Sequence, residues 1–479
     1  MDSIWSTTAS GRKHESLKGD IKTQAAVIGA GLAGILIAHF LQQSGVETIV
    51  LEGSRVGSGQ TKNTTAKITS QHDLIYDKLI KHFGVEKARQ YAYANQKAIY
   101  EFRHIIKQKG IDCDYSDTDC YLYSVNGTKK LEAEEKAAKS LGIAAEMKCK
   151  TDLPFNIAGA LKFPNQGKFH PLKFLFALSD GITVYENTPV RRIEGNTIYT
   201  KNGIVQAENI IIASHYPFIN IPGYYFMRVY QERSYVIALE NAALPNGEYL
   251  GIDDEHAFSL RSYKNTLLLG GGSHRTGAKD SAGKYELLRS AAAKYYPGSR
   301  EIAHWSAQDC ITLDDVPYIG RYSAKTPNMY VATGFRKWGM TSAMVSAMII
   351  SDLINGRKND FSEIFSPDRF KLAASIKNAA ELGASSVAGL TSQVFAVAKI
   401  RADKLPRGRA STAEINGQRV GLYRDKSGKL YAVSNKCPHL GCKLEWNENE
   451  LSWDCPCHGS RFSYTGELLD NPAQKGIKI

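Results

Sequence analysis

Half of the eight cysteines in this 479-residue chain crowd into its last tenth, with two histidines interleaved among them. The order is Cys437-Pro-His439-Leu-Gly-Cys442 and then, after fifteen residues between His439 and Cys455, Cys455-Pro-Cys457-His458. Thiolates and neutral imidazoles are metal ligands, and two ligand sets arise. Tetrahedral zinc takes both residue types, but its usual spacing is two to four residues rather than Cys-x-His. Cys-x-His followed by Cys-x-x-His suits a [2Fe-2S] cluster instead, with Cys437 and Cys455 on one iron and His439 and His458 on the other. Neutral imidazoles in place of two thiolates make such a cluster less negative. Its potential rises to about −150 to +300 mV, well above all-cysteine plant-type clusters.

A second constellation opens the chain. Ala25–Ile28 reads as a short buried strand, and Gly29-Ala30-Gly31-Leu32-Ala33-Gly34 follows at once. An apolar helix pattern runs from Ile35 to Leu41 and stops near Gly45, and a strand from Glu47 to Leu51 delivers Glu52. Gly29 permits the tight turn, Gly31 lets backbone approach a pyrophosphate, and Gly34 lets helix and strand pack closely. The helix N-terminus offers unpaired N–H groups to phosphate. Glu52, 21 residues after Gly31, is placed to accept from a ribose hydroxyl and argues against a 2′-phosphate. Gly270-Gly-Gly-Ser-His-Arg lacks the last glycine, so a protein with two dinucleotide sites is disfavoured. The small, polar loop Gly57–Lys67, which carries Gly59 and Thr61, is expected to wrap the cofactor. A late strand, Met329–Gly334, leads to an apolar helix over Ser342–Ile354. A helix start near Gly339, with Met340 and Thr341, would stabilise negative charge on a reduced flavin ring.

Between these sites, residues 74–110 and 129–150 read as helices, and Cys113, Cys120 and Cys149 as packing residues without ligand spacing. Strands are expected at Thr188–Ile193, Glu208–Ala213, Tyr235–Leu239 and Thr266–Gly270, with a helix over 283–296. This interleaving implies a second domain inserted into the nucleotide-binding one. Residues 366–400 read as a linker or docking helix, and 401–479 as a small all-β domain. Composition narrows the class. Hydrophobic residues make up 43% and charged ones 23%, enough for two or three cores. A balance of 60 basic against 48 acidic residues gives +12, but no basic run or aromatic–basic motif indicates a nucleic-acid reader. No stretch reaches the ~20 apolar residues of a membrane helix. Met1–Lys22 lacks a signal-peptide core, so a cytoplasmic enzyme is expected.

The glycine motif with Glu52, the Gly57–Lys67 loop, Trp305-Ser-Ala-Gln-Asp309, Asp315-Val-Pro-Tyr-Ile-Gly320 and Gly334-Phe-Arg-Lys-Trp-Gly-Met-Thr341 resemble the D-amino-acid-oxidase or glycine-oxidase type of FAD enzyme, over roughly residues 22–360. The resemblance implies an α/β, Rossmann-like FAD-binding domain over 23–365, after an arm at 1–22. An inserted antiparallel β-sheet substrate domain, roughly 160–330, would cover the flavin. It implies non-covalent FAD, with Val190 and Gly334 among its contacts, and oxidation at a carbon bearing an amine. Enzymes of this type often hold a substrate carboxylate with Arg and Tyr, which makes Arg233, Tyr235, Arg275 and Arg336 the catalytic candidates. His72 and Lys67 are candidate flavin-loop contacts.

The C-terminal motifs, with Gly459-Ser460 and Asn471-Pro-Ala473, resemble the Rieske proteins of cytochrome bc-type complexes. That resemblance implies a Cys442–Cys457 disulfide tying the two cluster loops, shielded beside the cluster because a reducing cytosol disfavours disulfides. It also implies that Ser460 donates to a bridging sulfide, and that the ligand histidines are exposed at the domain tip as an electron exit. The whole chain is similar to bacterial amine-oxidase-like FAD enzymes with a C-terminal Rieske domain. The expected activity is oxidation of a small amine or amino acid, with electrons leaving singly through the cluster to a soluble carrier or quinone. An oxidase using O2 with a structural or regulatory cluster, and a redox-sensing protein without turnover, are the alternatives. A Rieske oxygenase is disfavoured, since only 21 residues follow His458. The related proteins carry a tyrosine where this chain has Phe462, so one donor to a ligand sulfur is missing and a lower potential is expected. Redox titration of Phe462→Tyr checks this: the potential should rise, and an unchanged or lowered value counts against the reading.

Overall fold

Apolar runs without alternation belong in strands covered on both faces, and two such runs in this chain pair with each other. The computed structural model describes residues 2–254, 257–279, 281–369 and 404–479. In it Ile21–Ile28 and Ile204–Ile212 lie side by side, parallel, with Ile28 opposite Ile212. Thr48–Leu51 and then Thr183–Tyr185 extend this sheet in parallel on one side, and Thr326–Thr333 on the other. Tyr318–Ser323 closes that edge as an antiparallel strand. The glycine motif opens the helix Leu32–Gln43, which packs against the almost wholly buried helix Gly339–Ile354. Gly29 takes φ +109° at the strand-to-helix turn, and a Cβ on Gly34 would lie 1.9 Å from the Gly29 carbonyl oxygen. The glycine here is therefore a packing requirement.

A second sheet stands over the first. Its order among the described residues is Arg300–Thr312, Val229–Glu240, Thr266–Arg275, Ser259–Tyr263, Glu248–Gly251, Ser116–Ser124, Gly159–Lys168 and Lys67–Ile68. It draws strands from well before residue 160, while 183–212 and 318–333 belong to the first sheet. It is antiparallel except that Glu248–Gly251 runs parallel to Ser116–Ser124. A parallel neighbour needs a long connection rather than a hairpin, and more than 120 residues separate these two.

Three sequence expectations need correction. The helix expected over 74–110 is two, Tyr76–Phe83 and Val85–Lys109, broken at Gly84 with φ +80°. The helix expected over 129–150 ends at Ser140; Gly142 turns the chain with φ +84°, and Glu146–Lys148 pairs with Gly159–Lys168. Thr188–Ile193 is mostly loop, with strand only at Arg192–Glu194, because Pro189 has no N–H for a ladder. The N-terminal arm is docked: Ser3 caps the helix Ile4–Thr8, and Trp5 is fully buried.

The C-terminal domain holds a three-stranded antiparallel sheet, Arg409–Ile415, Gln418–Arg424 and Leu430–Ser434, and a four-stranded one. The latter consists of Glu445–Asn447, Ser452–Asp454, Arg461–Ser463 and Leu468–Asp470. Of the expected 366–400 linker, residues 366–369 are described, and Arg369 pairs with Asp314 at 2.9 Å; residues 370–403 lie outside the described residues. No helix among the described residues is long and apolar enough to cross a membrane. Gly34→Ala should cost about 1–3 kcal/mol in denaturant unfolding from forced overpacking. Gly127→Ala, where an added Cβ meets nothing within 4 Å, should stay within about 0.5 kcal/mol of the parent.

Candidate functional site

A cavity of about 1160 Å³ lies between the first sheet, the second sheet and the C-terminal domain. Of the residues expected to hold a dinucleotide, Gly29, Gly31, Leu32, Ala33, Glu52, Gly59, Thr61, Val190, Gly339 and Met340 line it. Ala30, Gly34, Gly334 and Thr341 do not; they support the wall from behind. The Ala30 N–H donates to Glu52 Oε2 at 2.7 Å, and Gly34 is the packing glycine. A Cβ on Gly334 would strike Thr312, and the Thr341 hydroxyl donates to the Thr69 carbonyl at 3.2 Å. Glu52 also accepts from the Ser54 N–H at 2.8 Å, so its carboxylate is fixed at the cavity edge, although burial raises its pKa.

The loop around Thr61 is anchored from outside. Trp305 Nε1 donates to the Asn63 carbonyl at 2.9 Å, Trp5 Nε1 to that of Thr64 at 2.7 Å, and Arg261 to those of Thr65 and Ala66. Four consecutive carbonyls are thus satisfied by buried donors, which leaves the loop shaped against the cavity. Trp5 and Arg261 carried no sequence signal, since both partners lie far away in the chain. Thr61 Oγ1 in turn accepts from the Leu32 N–H at the helix start, at 3.0 Å. His72 is buried, stacked on Trp338 at 4.9 Å and hydrogen-bonded to Tyr91; burial pulls its pKa down to about 3. It steadies Trp338, a cavity residue, from behind. Lys67 reaches the cavity itself, donating to Ser259 Oγ at 2.7 Å and the Tyr249 carbonyl at 3.1 Å.

The four catalytic candidates separate. Arg336 lines the cavity, with Asp315 at 3.2 Å and Asp73 at 4.0 Å. Tyr235 contributes to the wall, but its hydroxyl is met by Asn447 of the C-terminal domain at 3.4 Å. Arg233 is absent from the wall: its side chain is 2% exposed, bound to Glu450 at 2.8 Å with Asp470 at 3.7 Å and Ser306 alongside. Arg275 is also off the wall, with its guanidinium over the Tyr230 ring at 5.5 Å. Arg233 and Arg275 are therefore not positioned to hold substrate, because their strand faces turn toward the C-terminal domain and Tyr230 instead.

The cluster residues do converge. Cys437 and Cys455 are hydrogen-bonding neighbours, and the rings of His439 and His458 stand 4.9 Å apart at 89°. Both histidines bury Nδ1 without a partner among the described residues. Burial pulls their pKa values down, to about 4 for His439 and about 3 for His458, so both imidazoles are neutral and ready to ligate. Two loops share one hydrogen-bond pattern. Cys437 N–H donates to Cys442 O and Gly441 N–H to Cys437 O; Cys455 N–H donates to Ser460 O and Gly459 N–H to Cys455 O. Both glycines have positive φ, +84° and +79°. Cys442 and Cys457 are joined by a disulfide. The sulfurs of Cys442, Cys455 and Cys457 lie within 4.8 Å of one another, but two of them are spent in the bond, which leaves two thiols and two imidazoles. The donor set fits a mixed-ligand iron–sulfur cluster. Ser460 Oγ lies by Cys437 and accepts from the Ala473 N–H at 3.0 Å.

The expected exposed histidine tip is not found. His458 is buried against Phe226 at 5.9 Å, and His439 Nε2 meets Asn220 Oδ1 at 2.9 Å. Gln231 donates to the carbonyls of His458 at 2.7 Å and Asn471 at 3.1 Å, and Gln308 to that of Gly459 at 2.8 Å. Gln231 and Gln308 belong to strands of the second sheet, so the histidine loop is packed against the flavoprotein rather than turned to solvent.

A nucleotide fold enclosing an extended cavity, joined to a two-loop cluster domain, defines an iron–sulfur flavoprotein. Residues 24–353 match the family of FAD dependent oxidoreductases and residues 395–479 the Rieske [2Fe-2S] domain, so the chain belongs to the FAD-dependent oxidoreductase family and ends in a Rieske domain. It is 36% identical, over 100% of its length and 97% of the relative's, to the putative Rieske 2Fe-2S iron-sulfur protein YhfW of Bacillus subtilis (strain 168). It is 24% identical to the gamma-glutamylputrescine oxidoreductase of Escherichia coli (strain K12), over 72% of this chain and 87% of that one. Among solved structures, glycine oxidase from Geobacillus kaustophilus superposes with a TM-score of 0.63 at 19% identity, covering 73% of this chain and 99% of that one. The cofactors are FAD and a Rieske [2Fe-2S] cluster.

Two results should follow from the buried ion pairs. Arg233→Ala leaves Glu450 and Asp470 without that cation and should cost about 3–5 kcal/mol in urea unfolding. Glu450 is held down to about 2 from an ordinary 4.5 by Arg233 and Arg461, against its burial. Its stabilisation is therefore full above pH 4.5 and lost as pH falls toward 2. The urea midpoint should drop between pH 6 and pH 3 by more in the parent than in Glu450→Gln.

Proposed function

We propose that this protein is a dehydrogenase for a small amine or amino acid. Bound FAD supplies the hydride acceptor, and the cluster supplies a one-electron outlet toward an external carrier or quinone. The observation that carries this reading is the shared wall: residues 468–471 and 473–476 of the cluster domain line the same cavity as Gly31, Glu52 and Trp338. Gln308 spans the remaining gap, lining the cavity while its side chain donates to Gly459, the residue after the ligand His458. A cluster kept merely for structure has no need to be packed onto the flavin cavity. The relatives named as a gamma-glutamylputrescine oxidoreductase and a glycine oxidase supply the amine class.

In this reading the chain's own residues divide the work. Lys67, held only by neutral acceptors, offers positive charge suited to a substrate carboxylate, Arg336 lines the site paired with Asp315, and Trp338 completes the wall. The apolar side chains Ile221, Tyr224, Met227 and Leu440 are exposed close in sequence to Asn220 and His439. Such a cluster of surface apolar groups suits brief docking of an electron carrier.

Anaerobic stopped-flow with a panel of amines and amino acids tests the relay. Flavin bleaching should be followed by appearance of the reduced-cluster EPR signal. In Cys455→Ser, bleaching should persist while turnover with a one-electron acceptor falls at least ~tenfold. Bleaching that never reaches the cluster, or steady hydrogen peroxide release unaffected by His458→Ala, would sink the proposal in favour of an oxidase.

A further inference from the structure

Six cationic side chains line the flavin cavity, and two of them are paired with carboxylates. Arg336 has Asp315 and Asp73, and Lys337 has Asp309 at 3.1 Å and Glu232 at 3.5 Å. Lys67 is held by two neutral acceptors beneath the second sheet. Lys62, Arg191 and Lys475 remain. All three line the cavity, and among the described residues none has a carboxylate within ion-pair range. Arg191 donates instead to the neutral carbonyl of Gln474 at 2.9 Å, which brings the Pro189–Arg191 loop against the tail that carries Lys475. Arg191 and Lys475 are exposed where they border the cavity, so both are free to meet an anion that enters it. The dinucleotide's pyrophosphate is such an anion.

The position agrees. The helix start at Leu32 is bound by Thr61, and the neighbouring Gln60 donates through Nε2 to Asp470 Oδ1 at 2.8 Å. Asn471 then reaches across to the carbonyls of Ser214 at 2.8 Å and Tyr216 at 2.9 Å, at the end of the central strand. The tail Leu468–Gly476 therefore stands one side-chain layer away from the phosphate-facing turn. It is rooted in its own domain, through Ala473 N–H to Ser460 Oγ and Ser434 N–H to Ile477 O.

We propose that the Rieske domain completes the FAD site, with Lys475 as a phosphate ligand supplied from the C-terminal tail. FAD retention is then conditional on the docked domain, and by linkage FAD holds the domain in place. This goes beyond the electron relay and does not depend on it, since it concerns cofactor binding alone.

The test uses the full-length, cluster-loaded protein freed of FAD and titrated with FAD by flavin fluorescence, and separately with ADP by calorimetry. Lys475→Ala should weaken both ligands about tenfold, the range of one charge-assisted contact, and flatten the salt dependence of FAD binding. Lys475→Arg should restore affinity. Lys478→Ala, on the same tail but paired with Glu467 at 3.1 Å, should bind as the parent does. Circular dichroism and the cluster EPR signal should be unchanged in all three. Affinity of Lys475→Ala within twofold of the parent overturns the proposal. So does a loss for FAD with none for ADP, which would move the contact away from the phosphates. Neither result bears on whether the cluster accepts electrons from the flavin.

Discussion

Arg233 and Arg461 hold three carboxylates, those of Glu450, Asp454 and Asp470, in a space almost closed to water. Removing five charges from solvent is expensive, and the cost is offset only when every partner sits at hydrogen-bonding distance. Arg233 belongs to the second sheet of the flavoprotein and the other four to the cluster domain. The charges can therefore be satisfied only in one relative placement of the two. Ser306 and Tyr285 add hydroxyls to Glu450, and Gln60 adds an amide to Asp470. Such a network is a modest source of stability and a strong source of registration, because a shifted domain would leave buried charge unpaired.

Once that register is set, the remaining contacts fall into place by backbone satisfaction. Gln231 and Gln308 cap carbonyls at the end of a cluster loop, and Asn471 caps two carbonyls beyond the central strand. The same accounting governs the cofactor loop, where two indoles and one guanidinium take four successive carbonyls. Buried peptide groups must find partners, and here the partners come from the N-terminal arm, the second sheet and the cluster domain. The cavity is consequently a product of three separate parts of the chain.

The two chemical sites were legible in the sequence because their information is local. Each cluster loop carries a candidate ligand cysteine, a positive-φ glycine four residues on and a candidate ligand histidine between them, and all lie within six residues. The turn at Gly29 and the close packing at Gly34 are likewise set by neighbours along the chain. Strand and helix order followed from periodicity, and errors arose where a single residue interrupted a pattern: Gly84, Gly142 and Pro189.

Sequence by itself thus determined the candidate ligand set, the nucleotide motif and the succession of elements, since each depends on residues a few positions apart. Tertiary structure alone decided what Arg233 and Arg275 do. A strand residue's side depends on register, and what waits on that side depends on a segment more than two hundred residues away, as Glu450 is from Arg233. The orientation of the histidines was decided in the same way. No local pattern tells an imidazole whether it meets water or the Asn220 and Phe226 of a neighbouring domain, because that outcome rests on the pairing of buried charges across the interface.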